Sequence, residues 1–125
     1  LVMVLNDNPN VVIELRSHTD NRDTDEFNLK LSQQRAQICV DYMLSKGIQP
    51  KRLDPKGMGE SQPYIMTVKD GKLKAGDVLN EVFIDEIRRK KNKEKAHQYN
   101  RRTDFKVKTE SFYDEETDSI RQRNL

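Results

Sequence analysis

SHTDNRDTDEFNLKLSQQRAQICVDY, residues 17–42, runs from a polar, acid-rich segment into a long amphipathic one. It places a carboxylate, Asp20, fifteen residues ahead of a guanidinium, Arg35. At about 100° per residue, Leu29, Ala36, Cys39, Val40, Met43 and Leu44 form one apolar stripe. Leu31, Ile38 and Tyr42 form a second stripe on roughly the opposite side. The spacing predicts a helix from Asn28 to Lys46, packed between two neighbours and closed by Gly47 as its C′ residue. Asn28 and Arg35 share a face between the stripes, so both are expected to point at the preceding loop.

Working outward, VVIEL at 11–15 is β-branched and partly alternating, and reads as a strand that delivers residues 17–28 at its C-terminal end. Binding groups tend to gather where strands of α/β sheets give way to loops. Before it, Leu1, Val2, Val4 and Leu5 read as the tail of a helix ending in the turn residues NDNPN. After Gly47, Pro50 stops the helix. Leu53 to Met58 gives a short strand, interrupted by Pro55 and Gly57, and the proline argues for an edge or irregular strand. Leu79, Val82, Phe83 and Ile87 have the spacing of a one-sided helix, whose C-terminal part, RRKKNKEK, would complement the helix dipole. TDFKVKT predicts a last strand with Thr103, Phe105 and Val107 facing a core and Asp104, Lys106 and Lys108 facing water. Residues 111–125 hold too few apolar side chains to bury and read as a flexible tail or a short exposed helix.

The composition bounds the function classes. A length of 125 residues with 34% apolar and 35% charged side chains fits one domain with a modest core. A net charge of +2 gives no overall pull towards nucleic acid or membrane. Cys39 is the sole cysteine, which excludes an internal disulfide or a multi-cysteine metal cluster. It reads as a small core residue. No segment is long and apolar enough to span a membrane. The chain starts at Leu1, so an excised domain is expected, its export signal or anchor lying elsewhere. No G-x-S-x-G nucleophile motif occurs, and the acidic loop lacks the glycine and closing glutamate of a calcium loop. Neither catalytic residues nor a metal nor a cofactor is expected.

Three blocks in order, SHTDNRDTDEFNLKLSQQRAQICVDYMLSKGI, then RLDPKGMGESQP, then NRRTDF, resemble the peptidoglycan-binding OmpA-like domain. That domain occurs in outer-membrane porins, peptidoglycan-associated lipoproteins and flagellar stator proteins. The resemblance implies an α/β two-layer sandwich of βαβαββ topology that binds the diaminopimelate of the peptidoglycan stem peptide. Asp20 matches the Asp of the family's HTD motif and Arg35 the Arg of its LSxxRA motif. Thr19 and Asn28 match two further positions around the ligand. Ser17 and Asp23 stand where the family often has Gly. The first strand of the fold has no counterpart here, and residues 64–99 resemble an insertion found in Bacteroidetes-type versions. The expected organisation is a binding domain over 1–110 and a tail over 111–125. The expected setting is the periplasm, beside the outer membrane and cell wall.

The chemistry stands without the family. Diaminopimelate in a stem peptide carries an ammonium and a carboxylate on one carbon. Asp20 would accept from the ammonium, and Arg35 would grip the carboxylate through two parallel N–H bonds. Charge-assisted bonds worth ~1.5–3 kcal/mol each suit micromolar to millimolar affinity for one site. The competing reading is an ion pair between Asp20 and Arg35 that merely pins loop to helix. In the same way, Asn28 would be only a helix N-terminal residue and Arg101 a brace of the fold. An alternative function is a protein-interaction module of an envelope assembly that uses the basic insertion helix. Nucleic-acid binding through residues 88–95 lacks interleaved aromatic side chains.

Overall fold

The computed structural model describes residues 1–109, so the tail expectation for 111–125 lies outside the described residues. The chain order is α1 (Val2–Asp7), β1 (Val12–His18), α2 (Asp25–Ser45), β2 (Leu53–Gly59), α3 (Glu81–Asp85), α4 (Lys90–Asn100) and β3 (Arg102–Thr109). A three-stranded sheet has the order β2-β1-β3, with β1 parallel to β2 and antiparallel to β3. Together with its helices it makes the mixed α/β sandwich that the sequence predicts.

The β1-α2-β2 unit forms as read. Ile13 and Leu15 point to one face of β1 and are 1% and 2% exposed, meeting Val40 and Met43 of α2. Full burial of each such side chain is worth about 1.5–3 kcal/mol. Leu5 of α1, Ile48 and Leu53 belong to the same core. The Arg52 side chain is buried and donates to the carbonyls of Leu5, Asn8 and Val11, which fastens α1 and the turn after it to the start of β2. Gly47 follows α2 at φ 90°, the left-handed conformation the sequence assigns to it. As its proline predicts, β2 is an edge strand, and α2 crosses it closely. A Cβ built at Gly57 would lie 2.3 Å from the Gln33 backbone nitrogen, so only glycine fits there. Gln33 Oε1 accepts the Gly57 N–H at 2.8 Å, and Ser32 Oγ accepts that of Gly59 at 2.9 Å.

Four expectations are corrected. The first strand runs to His18 rather than Leu15, because Ser17 and His18 continue the pairing with Thr103 and Arg102. The second stripe of α2 is not packed into a core among the described residues: Ile38 and Tyr42 are 65% and 58% exposed, Leu31 is only partly buried, and Leu29 of the first stripe is also exposed. One buried face, Asn28, Ser32, Ala36, Val40 and Met43, is enough to hold the helix on the sheet. Phe105 and Val107 stand opposite Leu15 and Ile13 in register, yet both stay about half exposed, because α2 packs chiefly on β1 and β2. Finally, the predicted insertion helix is split in two. α3 stops at Asp85, and the basic run forms the N-cap and first turns of α4, the dipole end that disfavours cations. A second core of Met66, Leu73, Leu79, Ile84 and Ala96 holds this lobe together. Among the described residues no helix is long and apolar enough to cross a membrane.

Candidate functional site

The parallel pairing of β1 with β2 brings the C-terminal ends of both strands to one edge of the sheet, where the Thr19 N–H donates to the Gly59 carbonyl at 2.9 Å. The acidic loop leaves from this edge. Thr24 caps α2 through its hydroxyl, accepting the Phe27 N–H, and Asp25 and Glu26 occupy the first turn, where the helix dipole favours anions. Asn28, 2% exposed, donates its amide to the carbonyls of Asp20 at 3.1 Å and Asp23 at 3.2 Å. It is therefore the clamp that fixes the loop against α2. Thr19 is buried as well, and its hydroxyl has no protein hydrogen-bond partner among the described residues.

Asp20 is one member of a closed ring of charges. Its Oδ2 accepts from the Arg22 guanidinium at 2.7 Å and from Arg101 at 2.8 Å, while Oδ1 accepts the Arg22 backbone N–H at 3.1 Å. Glu94 of α4 joins the same two arginines from the other side, at 2.7 Å to Arg22 and 3.0 Å to Arg101. Two carboxylates and two guanidiniums thus alternate around the ring. Burial alone would raise the Asp20 pKa, but the bonds from Arg22 and Arg101 outweigh it and hold the group down at about 2. His97, on the same helix as Glu94, is buried and kept below its usual pKa by desolvation and then by Arg22.

Arg35 takes no part in the ring. Its side chain is exposed, with no hydrogen bond or ion pair among the described residues. The Asp20–Arg35 pair named above as the competing reading is therefore not formed. Seven residues from Asn28, Arg35 falls about 20° from it around α2 and about 10 Å further along the axis. Cα–Cβ bonds of a helix tilt towards its N-terminus, so Arg35 leaves α2 in the direction of the end at which Asn28 clamps the loop.

A second pair of carboxyls borders the clamp. Glu60, just past β2, is pushed up to about 7 by the Asp25 carboxyl beside it, then by burial, against a bond from Asn28 that lowers it. The native chain therefore holds a proton here that the unfolded chain releases at ordinary carboxyl pKa values. By linkage this pair makes stability fall as pH rises through the window from the ordinary value of 4.5 to about 7. Glu60→Gln is expected to flatten that fall, read as thermal unfolding at pH 5 and pH 7.5. An unchanged slope would remove Glu60 from the pair.

Sequence reasoning missed Arg22 and Glu94. The i, i+2 spacing of Asp20 and Arg22 was a signal for the first, since short loops often close this way. Nothing local marks Glu94, which meets Arg22 across 72 residues.

Residues 1–75 match the OmpA family. Outer membrane protein A of Klebsiella aerogenes is 46% identical over 46 residues, which are 37% of this chain and 13% of that protein. The protein of the same name from Shimwellia blattae is 50% identical over 46 residues, 19% of its length. The matches thus span less than a fifth of these relatives. Among solved structures, the peptidoglycan-associated lipoprotein of Burkholderia pseudomallei superposes with a TM-score of 0.59 at 20% identity, covering 86% of this chain and 70% of that one. The cell wall anchor of the type VI secretion system of Pseudomonas aeruginosa gives 0.54 at 20% identity, covering 85% and 59%. At these identities the two structures establish the shared fold.

Proposed function

The chain belongs to the OmpA family, and from that membership we propose that it binds peptidoglycan without catalysing a reaction. In this reading it holds the diaminopimelate of the stem peptide between Asp20 and Arg35 and tethers an envelope protein or complex to the cell wall. The setting is the periplasmic side of the outer membrane, and the binding domain covers 1–110, with 64–99 as an insertion. The names of two proteins of like fold, a peptidoglycan-associated lipoprotein and a cell wall anchor, support the ligand class.

The observation that carries the reading is Arg35 itself. An exposed guanidinium with no partner among the described residues, on the helix edge that clamps the Asp20 loop, is available to take a carboxylate. Asp20 supplies the anion for the neighbouring ammonium, held ionised by its ring. Asn28 serves by holding the loop, and the Thr19 hydroxyl, buried and without a protein partner among the described residues, stands next to Asp20 in the chain. Weak single sites on a polymeric wall add up through effective concentration.

The ammonium must compete with Arg22, which is 47% exposed and the more mobile of the two guanidiniums on Asp20 by its exposure and its place on a loop. Arg22→Ala is therefore expected to tighten binding of free diaminopimelate by about fivefold, since one charge-assisted bond no longer has to be given up. Calorimetric titration checks this, and weaker binding would make Arg22 a ligand contact instead of a competitor.

The test of the function is sedimentation with purified sacculi of two kinds. Lysine, the residue that replaces diaminopimelate in some walls, carries the ammonium without the carboxylate on the same carbon. The chain is expected to pellet with diaminopimelate-type sacculi and stay in solution with the lysine type. Equal pelleting would sink the ligand assignment, and pelleting with neither would sink wall binding.

A further inference from the structure

The insertion lobe carries a second site unrelated to Asp20 and Arg35. A cavity of about 550 Å³ opens between the turn at 69–74 and the start of α4, and Lys69, Lys72, Lys74, Arg89, Lys91 and Lys95 line it. Its two walls are fixed to each other. Leu73 and Ala96 are buried in the common core below, and Asp70 ties the turn to α4 through Lys95 at 2.8 Å and the Tyr99 hydroxyl.

That pin consumes Lys95 and Asp70. The other five cations have no ion-pair partner among the described residues. Of the carboxylates close in sequence, Glu94 belongs to the ring with Arg22 and Arg101, while Asp77 accepts the Lys74 backbone N–H and offsets one of the five charges at most. No acid sits in the first turn of α4, so the helix end adds positive potential to the same space. Like charges gathered in a concave, preorganised surface focus their field on whatever anion enters.

We infer that this cavity binds a phosphate-bearing anion. A single carboxylate would leave most of the five charges uncompensated, whereas linked phosphates concentrate several negative charges in a small volume. Four of the five free cations are lysines, whose compact ammonium groups suit phosphate as point charges. Among the described residues no aromatic ring lines the cavity, so they offer no platform for stacking a base, which separates this site from a nucleotide or RNA site. The phosphates belong either to a small soluble anion or to a lipid headgroup, and the site chemistry is the same.

The experiment is an NMR titration of the chain with sodium pyrophosphate at physiological salt, beside flotation with vesicles of equal parts phosphatidylglycerol and phosphatidylcholine. Saturable shifts confined to amides of 69–74 and 89–95 are expected. The double variant Lys72→Glu with Lys91→Glu should bind pyrophosphate at least about tenfold more weakly, while Lys106→Glu, on β3, should change it less than about twofold. Binding of pyrophosphate without flotation identifies a soluble anion, and flotation that pyrophosphate competes away identifies a headgroup. Shifts scattered over lysines of the whole chain, no saturation, or equal weakening by Lys106→Glu would overturn the proposal. The double variant should still pellet with sacculi, so this result stands apart from wall binding.

Discussion

Arg35→Ala should no longer pellet with diaminopimelate-type sacculi, yet should unfold at the same urea concentration as the parent. The side chain is exposed and makes no hydrogen bond or ion pair among the described residues, so its loss should cost no more than about 0.5 kcal/mol of stability. Its proposed work is done on the ligand alone. Arg35→Lys should fail nearly as completely, because a flexible point charge cannot reproduce the planar fork that takes both carboxylate oxygens. A lysine variant that binds like the parent would show that only charge is needed. An alanine variant that does so would remove Arg35 from the site.

Asp20→Asn should lose wall binding and stability together. The carboxylate compensates Arg22 and Arg101, and an amide in its place leaves two guanidiniums sharing Glu94 as their one carboxylate among the described residues. A loss of about 1–3 kcal/mol is expected for charge-assisted bonds of a buried group, read as a lower urea midpoint at pH 7. The sign with pH follows from the depressed pKa. Because Asp20 titrates at about 2 in the folded chain and at its ordinary 3.8 when unfolded, its contribution is present above 3.8 and is lost as pH falls through about 2. Parent and variant should therefore differ in stability at neutral pH and converge in strong acid. A difference that persists below pH 2 would assign the loss to packing instead of charge.

Much of the fold was legible in the sequence because it rests on local signals. The β-branched run at 11–15, the apolar stripe of α2 with Gly47 behind it, and Pro55 in an edge strand each state their position through period or backbone chemistry. What failed depends on neighbours that no local pattern encodes. Phe105 and Val107 alternate as a core face should, but whether anything covers them is decided by where α2 comes to rest. RRKKNKEK looks like the end of one helix, yet Asn80 caps a short α3 and the run starts a new helix instead. At the candidate site, the match of Asp20 and Arg35 to two family motifs pointed to both residues. Burial then separated their surroundings: Asp20 is engaged by Arg22 and Arg101, Asn28 and Thr19 are buried, and Arg35 is exposed. A ring closed by Glu94 from far along the chain cannot be read from spacing.

The most direct measurement is a crystal of the chain soaked with a stem peptide containing diaminopimelate. The account predicts the peptide's carboxylate in a bidentate bond to Arg35 and the ammonium on the same carbon against Asp20, with the Arg22 guanidinium swung away. Density for the peptide elsewhere, with Arg22 still on Asp20 and Arg35 still unpaired, would contradict it.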